Sequence, residues 1–133
     1  MSRARGHRKP CDLADARARH DKARQFLSLA HVAEGDDTVR AAEAALLVDA
    51  GIASADVICC VRLGERSADG DHTAAVNLVA MVDRTSARRL QTLLSLKAAA
   101  QYGTRNPAKD RLAAARRAAA GLFEAAAAVL ADI

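Results

Sequence analysis

Residues 38–63, TVRAAEAALLVDAGIASADVICCVRL, contain the apolar pattern that decides the fold class. Apolar side chains return at every third or fourth position, which is the spacing of one face of an α-helix. Gly51 costs this helix about 1 kcal/mol relative to Ala, and its missing side chain favours close contact with a neighbouring helix. Gly64 is expected to end it. The apolar positions are Val39, Ala42, Leu46, Ala50, Ala53, Val57 and Cys60.

The same spacing recurs in the rest of the chain, in segments separated by short polar turns. Asp, Ser and Asn are expected to cap the helix N-termini, and Gly to end the helices. We therefore predict an all-α fold, an up-and-down helical bundle of four long helices plus one short helix. The predicted caps are Asp12, an Asp of residues 34–37, Asp71, Ser86 and Asn106 with Pro107 behind it, and the predicted stops are Gly64 and Gly103.

Length and composition predict one domain with an unusual core. Alanine makes up about a quarter of the 133 residues, and the only aromatic residues are two Phe and one Tyr. The core must then consist of Leu, Val and Ala, which lets helices approach closely. Residues 1–11 are predicted to be a disordered basic tail, and residues 12–133 to form the helical bundle domain.

The net charge is +4, which fits a polyanionic partner without being diagnostic of one. The three cysteines, Cys11, Cys59 and Cys60, are odd in number and two are adjacent, so we expect no disulfide framework and a reducing compartment. No uninterrupted run approaches 18 apolar residues, and the N-terminus lacks an apolar export signal. We expect a cytoplasmic protein without membrane contact, metal or cofactor.

One polar stretch inside the chain carries residues suited to chemistry. Arg66 and His72 lie in a Gly- and Asp-rich turn between two predicted helices, on either side of a helix break. A guanidinium matches phosphate oxygens, and an imidazole can take a proton from a hydroxyl near neutral pH. Together they could cleave RNA without a metal, because the 2′-hydroxyl can attack its own phosphate while Arg steadies the developing charge.

A structural interpretation of these residues stays open. Arg66 could pair with Asp69 or Asp71, and His72 could simply occupy the first turn of a helix. On the preceding helix, Asp49 and Asp56 lie near the apolar stripe. We expect both at its edge, solvated or paired with an Arg.

The stretch CVRLGERSADGDHTAAV, residues 60–76, resembles bacterial members of the HEPN superfamily, as does LKAAAQYG at 96–103, followed by an Ala-rich last helix. The likeness covers roughly residues 12–131. Its hallmark is an Arg and a His separated by four to six residues, and Arg66 and His72 match it. The resemblance implies a helical bundle, commonly a homodimer with two Arg/His pairs facing each other across the interface.

What the resemblance implies about function divides into two classes. Many members are metal-independent endoribonucleases, often toxins or defence factors with a cognate antitoxin, and Arg66 and His72 would then be the catalytic pair. Others are non-catalytic modules that bind nucleic acid, a nucleotide or a partner protein such as a small nucleotidyltransferase. The sequence leaves both open, with RNA as the expected ligand of the first class.

Four further residues are candidates for binding RNA or phosphate. Arg62 lies one helical turn before Arg66, so that both can project to one side. Ser67 occupies the position after the motif Arg, which is polar in active members. Lys97 and Tyr102, near the end of a long helix, could reach a ligand there, although a solvent-directed Lys and a core Tyr would be the ordinary alternative.

Overall fold

The structure is a computed structural model that describes residues 8–68 and 70–133; for residues 98 and 100–102 it describes the backbone alone. Helices account for 79% of the chain, so the predicted helical fold is confirmed at that level. The up-and-down order of the long helices stays a prediction. The elements are β1 (Arg8–Pro10), α1 (Leu13–Ala33), a 3-10 turn (Asp37–Val39), α2 (Arg40–Leu63), β2 (Glu65–Ser67), α3 (His72–Ala80), α4 (Arg84–Tyr102) and α5 (Lys109–Ala131).

Several helix ends lie where the sequence predicts them. The Asp12 carboxylate caps α1 by accepting a hydrogen bond from the Asp15 amide, and the Asp15 carboxylate accepts one from the Asp12 amide. Asp71 caps α3 through the Ala74 amide. Gly64 ends α2 with a φ of 72°, a left-handed conformation that glycine adopts without steric cost. These ends depend on interactions within a few residues, which is why the sequence reveals them.

Two predicted caps are wrong by two or three residues. Asp83, not Ser86, caps α4 by accepting from the Thr85 amide, and the Ser86 hydroxyl donates to the Asp83 carboxylate from inside the first turn. The last helix begins after Ala108, without a side-chain cap, rather than at Asn106 and Pro107. An Asp in the right register displaces Ser as the cap because its carboxylate accepts both bonds.

The central helix is α2, which packs against α1, α4 and α5. Residues 53–60, in its second half, are buried on all sides. The predicted apolar stripe is not buried along its whole length, since Ala42 is exposed. A Cβ at Gly51 would overlap the Leu93 side chain of α4, so the close helix contact predicted there is confirmed. The core consists mainly of Ala, Leu and Val, with Ile58 and Cys59.

The predicted disordered tail is wrong for residues 8–11, whereas residues 1–7 lie outside the described part of the chain. β1 pairs antiparallel with β2, with Lys9 opposite Arg66. Cys11 then forms a disulfide with Cys60 of α2, and only Cys59 is free. The expectation of unpaired cysteines is therefore also wrong, because two residues 49 apart in sequence meet once β1 lies against the end of α2.

The disulfide removes the argument for a reducing compartment, so the cytoplasmic location stays a prediction. Residues Asp37–Leu63 are apolar and long enough to cross a membrane, although charged residues interrupt their apolar run. In the fold, 72% of their most apolar window is buried among the other helices. Such burial is what the core helix of a soluble bundle shows.

A charged pair lies inside the bundle. The Glu43 carboxylate of α2 is only 1% exposed, and Arg116 of α5 donates to both of its oxygens, at 2.5 and 2.9 Å. Glu34 lies 3.8 Å from the same guanidinium. Two-pronged pairing of this kind compensates the loss of water around a buried carboxylate.

Reduction of the Cys11–Cys60 disulfide should destabilise the fold. Opening a loop that spans 49 residues releases chain entropy in the unfolded state, which corresponds to about 4 kcal/mol of unfolding free energy. Urea denaturation with and without reductant measures this loss. Cys11→Ser should show the same loss and no further response to reductant, while Cys59→Ala should respond as the wild type does. A wild-type midpoint that ignores reductant would contradict the disulfide.

Arg116→Ala should lower the free energy of unfolding by about 3–5 kcal/mol, because it leaves Glu43 charged and buried without a partner. Arg117, the next residue of α5, is exposed, and Arg117→Ala should change stability by less than about 0.5 kcal/mol. Chemical denaturation of the two variants at pH 7 gives the comparison. Equal stabilities would mean that the buried pair does not support the bundle.

Candidate functional site

The turn between α2 and α3 places Arg66 and His72 on either side of a helix break, as predicted. The chain leaves α2 at Gly64, runs through β2 and enters α3 at His72. Pairing with β1 fixes the backbone of Arg66 and Ser67 in an extended conformation. In an extended strand successive side chains point to opposite faces, so Arg66 and Ser67 have different surroundings.

The guanidinium of Arg66 lies against a buried acid. Its Nη1 is 3.8 Å from Oδ2 of Asp56, a residue of α2 that is only 8% exposed. Arg19 of α1 reaches the same oxygen, with Nε and Nη2 both at 3.0 Å. The sequence predicts that Asp56 lies at the edge of the apolar stripe of α2, solvated or paired with an Arg. The pairing with an Arg is confirmed, but the side chain is buried inside the fold.

Burial raises the pKa of the Asp56 carboxyl to about 6, although the charges of Arg19 and Arg66 act in the opposite direction. The loss of water around the carboxylate therefore outweighs two neighbouring guanidinium groups. Half-buried Asp49, two turns earlier on α2, also has a raised pKa because of burial, with Lys97 and Arg19 opposing the shift. Both acids thus belong to one partly desolvated charge cluster.

His72 contacts Lys97 of α4, and its Nε2 lies 3.0 Å from Nζ. An ammonium group only donates, so Nε2 must accept and the ring proton of neutral His72 must reside on Nδ1. Burial lowers the pKa of His72, and the Lys97 charge lowers it further, against a small opposite effect of Asp71. At neutral pH the ring is therefore neutral and carries its free electron pair on Nε2.

A cavity of about 180 Å³ lies behind this pair, between α2, α3 and α4. Its walls are mostly aliphatic, and four polar side chains also line it. The Ser67 hydroxyl is buried there and has no hydrogen-bond partner within the described part of the chain. The wall residues include Ile52, Ala75, Leu78, Val79, Leu90 and Leu94, and the polar lining comes from Asp56, Ser67, His72 and Lys97.

His72 also lines a second, more open depression between α3 and α4, of about 330 Å³. Uncharged side chains that can form hydrogen bonds surround this groove. His72 therefore stands at the boundary between an enclosed apolar space and an open polar one. The groove is lined by Thr73, Val76, Asn77, Gln91, Leu94 and Ser95 besides His72.

The structure brings together only part of the predicted site. Ser67, His72 and Lys97 line one cavity, and Arg66 contacts its acid, Asp56. Arg62 instead forms an ion pair with Asp132 at 2.9 Å and does not line the cavity. The side chain of Tyr102 lies outside the described residues.

The sequence missed two contributors to the site. Asp56 is the first, and its sequence signal is an acid within an otherwise apolar helical run. Cys59 lines the cavity as a free thiol, and burial raises its pKa to about 12, so it stays protonated and cannot act as a nucleophile at neutral pH.

No family model, curated protein or solved structure matches this chain. Among residues 8–68 and 70–133, no three His, Cys, Asp or Glu side chains lie together as ligands for a metal ion.

Asp56 should make the stability depend on pH. Because its pKa rises from 3.8 to about 6 on folding, the folded state binds this proton more tightly than the unfolded chain. Stability should therefore fall as the pH rises through this window, by about 3 kcal/mol in total. Asp56→Asn should remove that decline, and Ser67→Ala, an uncharged change in the same cavity, should keep it.

The measurement is urea denaturation of the three proteins between pH 3.5 and pH 7. The difference between wild type and Asp56→Asn isolates this carboxyl from every other titrating group. Parallel pH profiles of these two proteins would show that burial does not raise the pKa of Asp56.

Proposed function

We propose that this chain is a HEPN-like, metal-independent endoribonuclease in which His72 is the general base and Lys97 holds the scissile phosphate. The contact between Lys97 Nζ and His72 Nε2, at 3.0 Å, is the observation that carries the proposal. It places a neutral imidazole and a cation side by side, and the imidazole lines an open groove. A base and a phosphate-binding cation are the two groups that cleavage by the 2′-hydroxyl needs.

The proposed reaction begins with release of the base. A phosphate oxygen of the RNA attracts the Lys97 ammonium away from His72, which frees Nε2. Nε2 then takes the proton of the 2′-hydroxyl, and that oxygen forms a bond to phosphorus. The bond from phosphorus to the 5′ oxygen breaks, and the leaving oxygen takes a proton from water. The hydroxide that remains takes the proton from His72, which restores the neutral base. The products are a 2′,3′-cyclic phosphate and a free 5′-hydroxyl.

Arg66 keeps a place in this proposal despite its contact with Asp56. A guanidinium carries five N–H donors, and the Asp56 contact involves Nη1. The side chain is 26% exposed, so its remaining donors are accessible to a phosphate. Arg66 would then stabilise charge that develops on the phosphate while Asp56 fixes its position.

The groove between α3 and α4 suits a single RNA strand. Thr73, Asn77, Gln91 and Ser95 offer neutral donors and acceptors beside His72, which can hydrogen-bond to bases or to a 2′-hydroxyl. We include in the proposal a homodimer with an antitoxin or nucleotidyltransferase partner, since the resemblance to HEPN proteins implies these features. The cytoplasmic location is kept as a further part of the proposal.

A non-catalytic binding module is the second candidate, and a specific observation favours it. Lys97 occupies the Nε2 atom that a base needs, and Asp56 offsets the positive charge of Arg66. If the RNA phosphate does not displace Lys97, the same residues bind RNA without cutting it.

Cleavage of mixed RNA in EDTA separates the two candidates. The enzyme should leave 2′,3′-cyclic phosphate ends, His72→Ala should lose about 10²–10⁴-fold in rate, and Lys97→Met about 10²–10³-fold. His31, which is 86% exposed on α1, provides the matched control, and His31→Ala should cut like wild type. Gel analysis and mass spectrometry of the RNA ends give the readout.

Each alternative outcome has a definite meaning. RNA that is bound but uncut under all conditions would favour the binding module. Undiminished cutting by His72→Ala, with the wild-type end groups, would place the reaction at another site. A requirement for a divalent metal would contradict the proposed mechanism directly.

A further inference from the structure

The cavity behind His72 has the size and lining of a small-molecule site. Its volume of about 180 Å³ exceeds that of the engineered apolar cavity of about 150 Å³ that binds benzene. It is smaller than typical sites for drug-sized ligands, which start at about 300 Å³. A single six-membered ring, or a branched aliphatic group of similar size, therefore fits between Ile52, Leu78 and Leu90.

The polar lining of the cavity offers donors that need an acceptor. The buried Ser67 hydroxyl has no partner within residues 8–68 and 70–133, and a buried hydroxyl without one is costly. Lys97 uses one of its three N–H bonds on His72, which leaves two for a ligand. Both groups line the cavity, so each can donate to an oxygen-rich anion that binds there.

The charges near the Ser67 and Lys97 donors also favour the binding of an anion. Among the lining residues, Lys97 carries a positive charge and Asp56 a negative one. Arg19 and Arg66 lie next to Asp56. Asp56 is engaged by both guanidinium groups. A ligand carboxylate would be attracted by Lys97, whereas a ligand amine would be repelled by it.

We propose that the cavity binds a small organic acid, with an aromatic ring or branched aliphatic body among α2, α3 and α4 and its carboxylate on Lys97 and Ser67. This site goes beyond the cleavage of RNA, since its walls enclose a body the size of one ring rather than a strand. It shares Lys97 with the proposed catalytic pair, so a bound acid would occupy the cation that the phosphate needs and would inhibit cleavage.

Benzoate is the probe, titrated into the full-length protein without RNA and followed by calorimetry and by two-dimensional NMR. Benzyl alcohol and benzylamine are its neutral and cationic counterparts. Benzoate should bind and shift the amide signals of α3 and of the β2–α3 turn, benzyl alcohol should bind at least about tenfold more weakly, and benzylamine should not bind.

Variants test the polar lining and the apolar lining of the cavity separately. Lys97→Met should weaken benzoate binding about tenfold or more, and Lys22→Met, an exposed change on α1, should leave it unchanged. Ala75→Leu adds bulk to the cavity lining and should abolish binding, with Ile52→Phe as a second filling variant if the first unfolds. Helical circular dichroism verifies that each variant is folded.

Results of three kinds would overturn this proposal. They are benzoate binding that persists in a folded, cavity-filled variant, equal affinity for benzoate and benzyl alcohol, and the absence of any benzoate binding. None of these depends on RNA cleavage, because no RNA is present. If the protein does not cleave RNA, the titration still decides whether the cavity binds benzoate.

Discussion

Close contact between α2 and α4 at Gly51 is the constraint on which the site depends. Without a side chain at Gly51, Leu93 packs directly against the α2 backbone, where a Cβ would overlap it. Lys97 lies one helical turn beyond Leu93, on the same face of α4. Because Leu93 packs so closely on α2, this face of α4 lies near the cavity, and the Lys97 ammonium reaches Nε2 of His72.

Buried acids add specificity to a core that is otherwise made of small, similar side chains. Glu43 and Asp56, both on α2, meet Arg116 of α5 and Arg19 of α1. An Ala-rich helix could slide past its neighbours at little cost in apolar contact. A slipped register would leave a carboxylate buried without its cation, which is far more costly. We infer that these pairs select one arrangement of α1, α2 and α5.

The Cys11–Cys60 disulfide and the two short strands act on the same region from outside the bundle. Their pairing fixes the backbone of Arg66 and Ser67. It thereby fixes which face of β2 carries the Ser67 side chain, which lines the cavity. The chemistry of the turn thus depends on a segment, residues 8–11, whose sequence looks like a basic tail. Its charge and lack of apolar side chains do not indicate that it fixes the turn, because this role arises from contact with a distant part of the chain.

The sequence by itself determined the helices, the N-caps at Asp12 and Asp71, the stop at Gly64 and the helix break that separates Arg66 from His72. All of these depend on periodicity or on hydrogen bonds within about four residues, which local residue types reveal. Only the tertiary structure decided the contact of His72 with Lys97, 25 residues away, and of Asp56 with Arg19, 37 residues away. Such contacts depend on how close two helices come and in which register, and those are set by the packing of the whole core rather than by any short stretch of sequence.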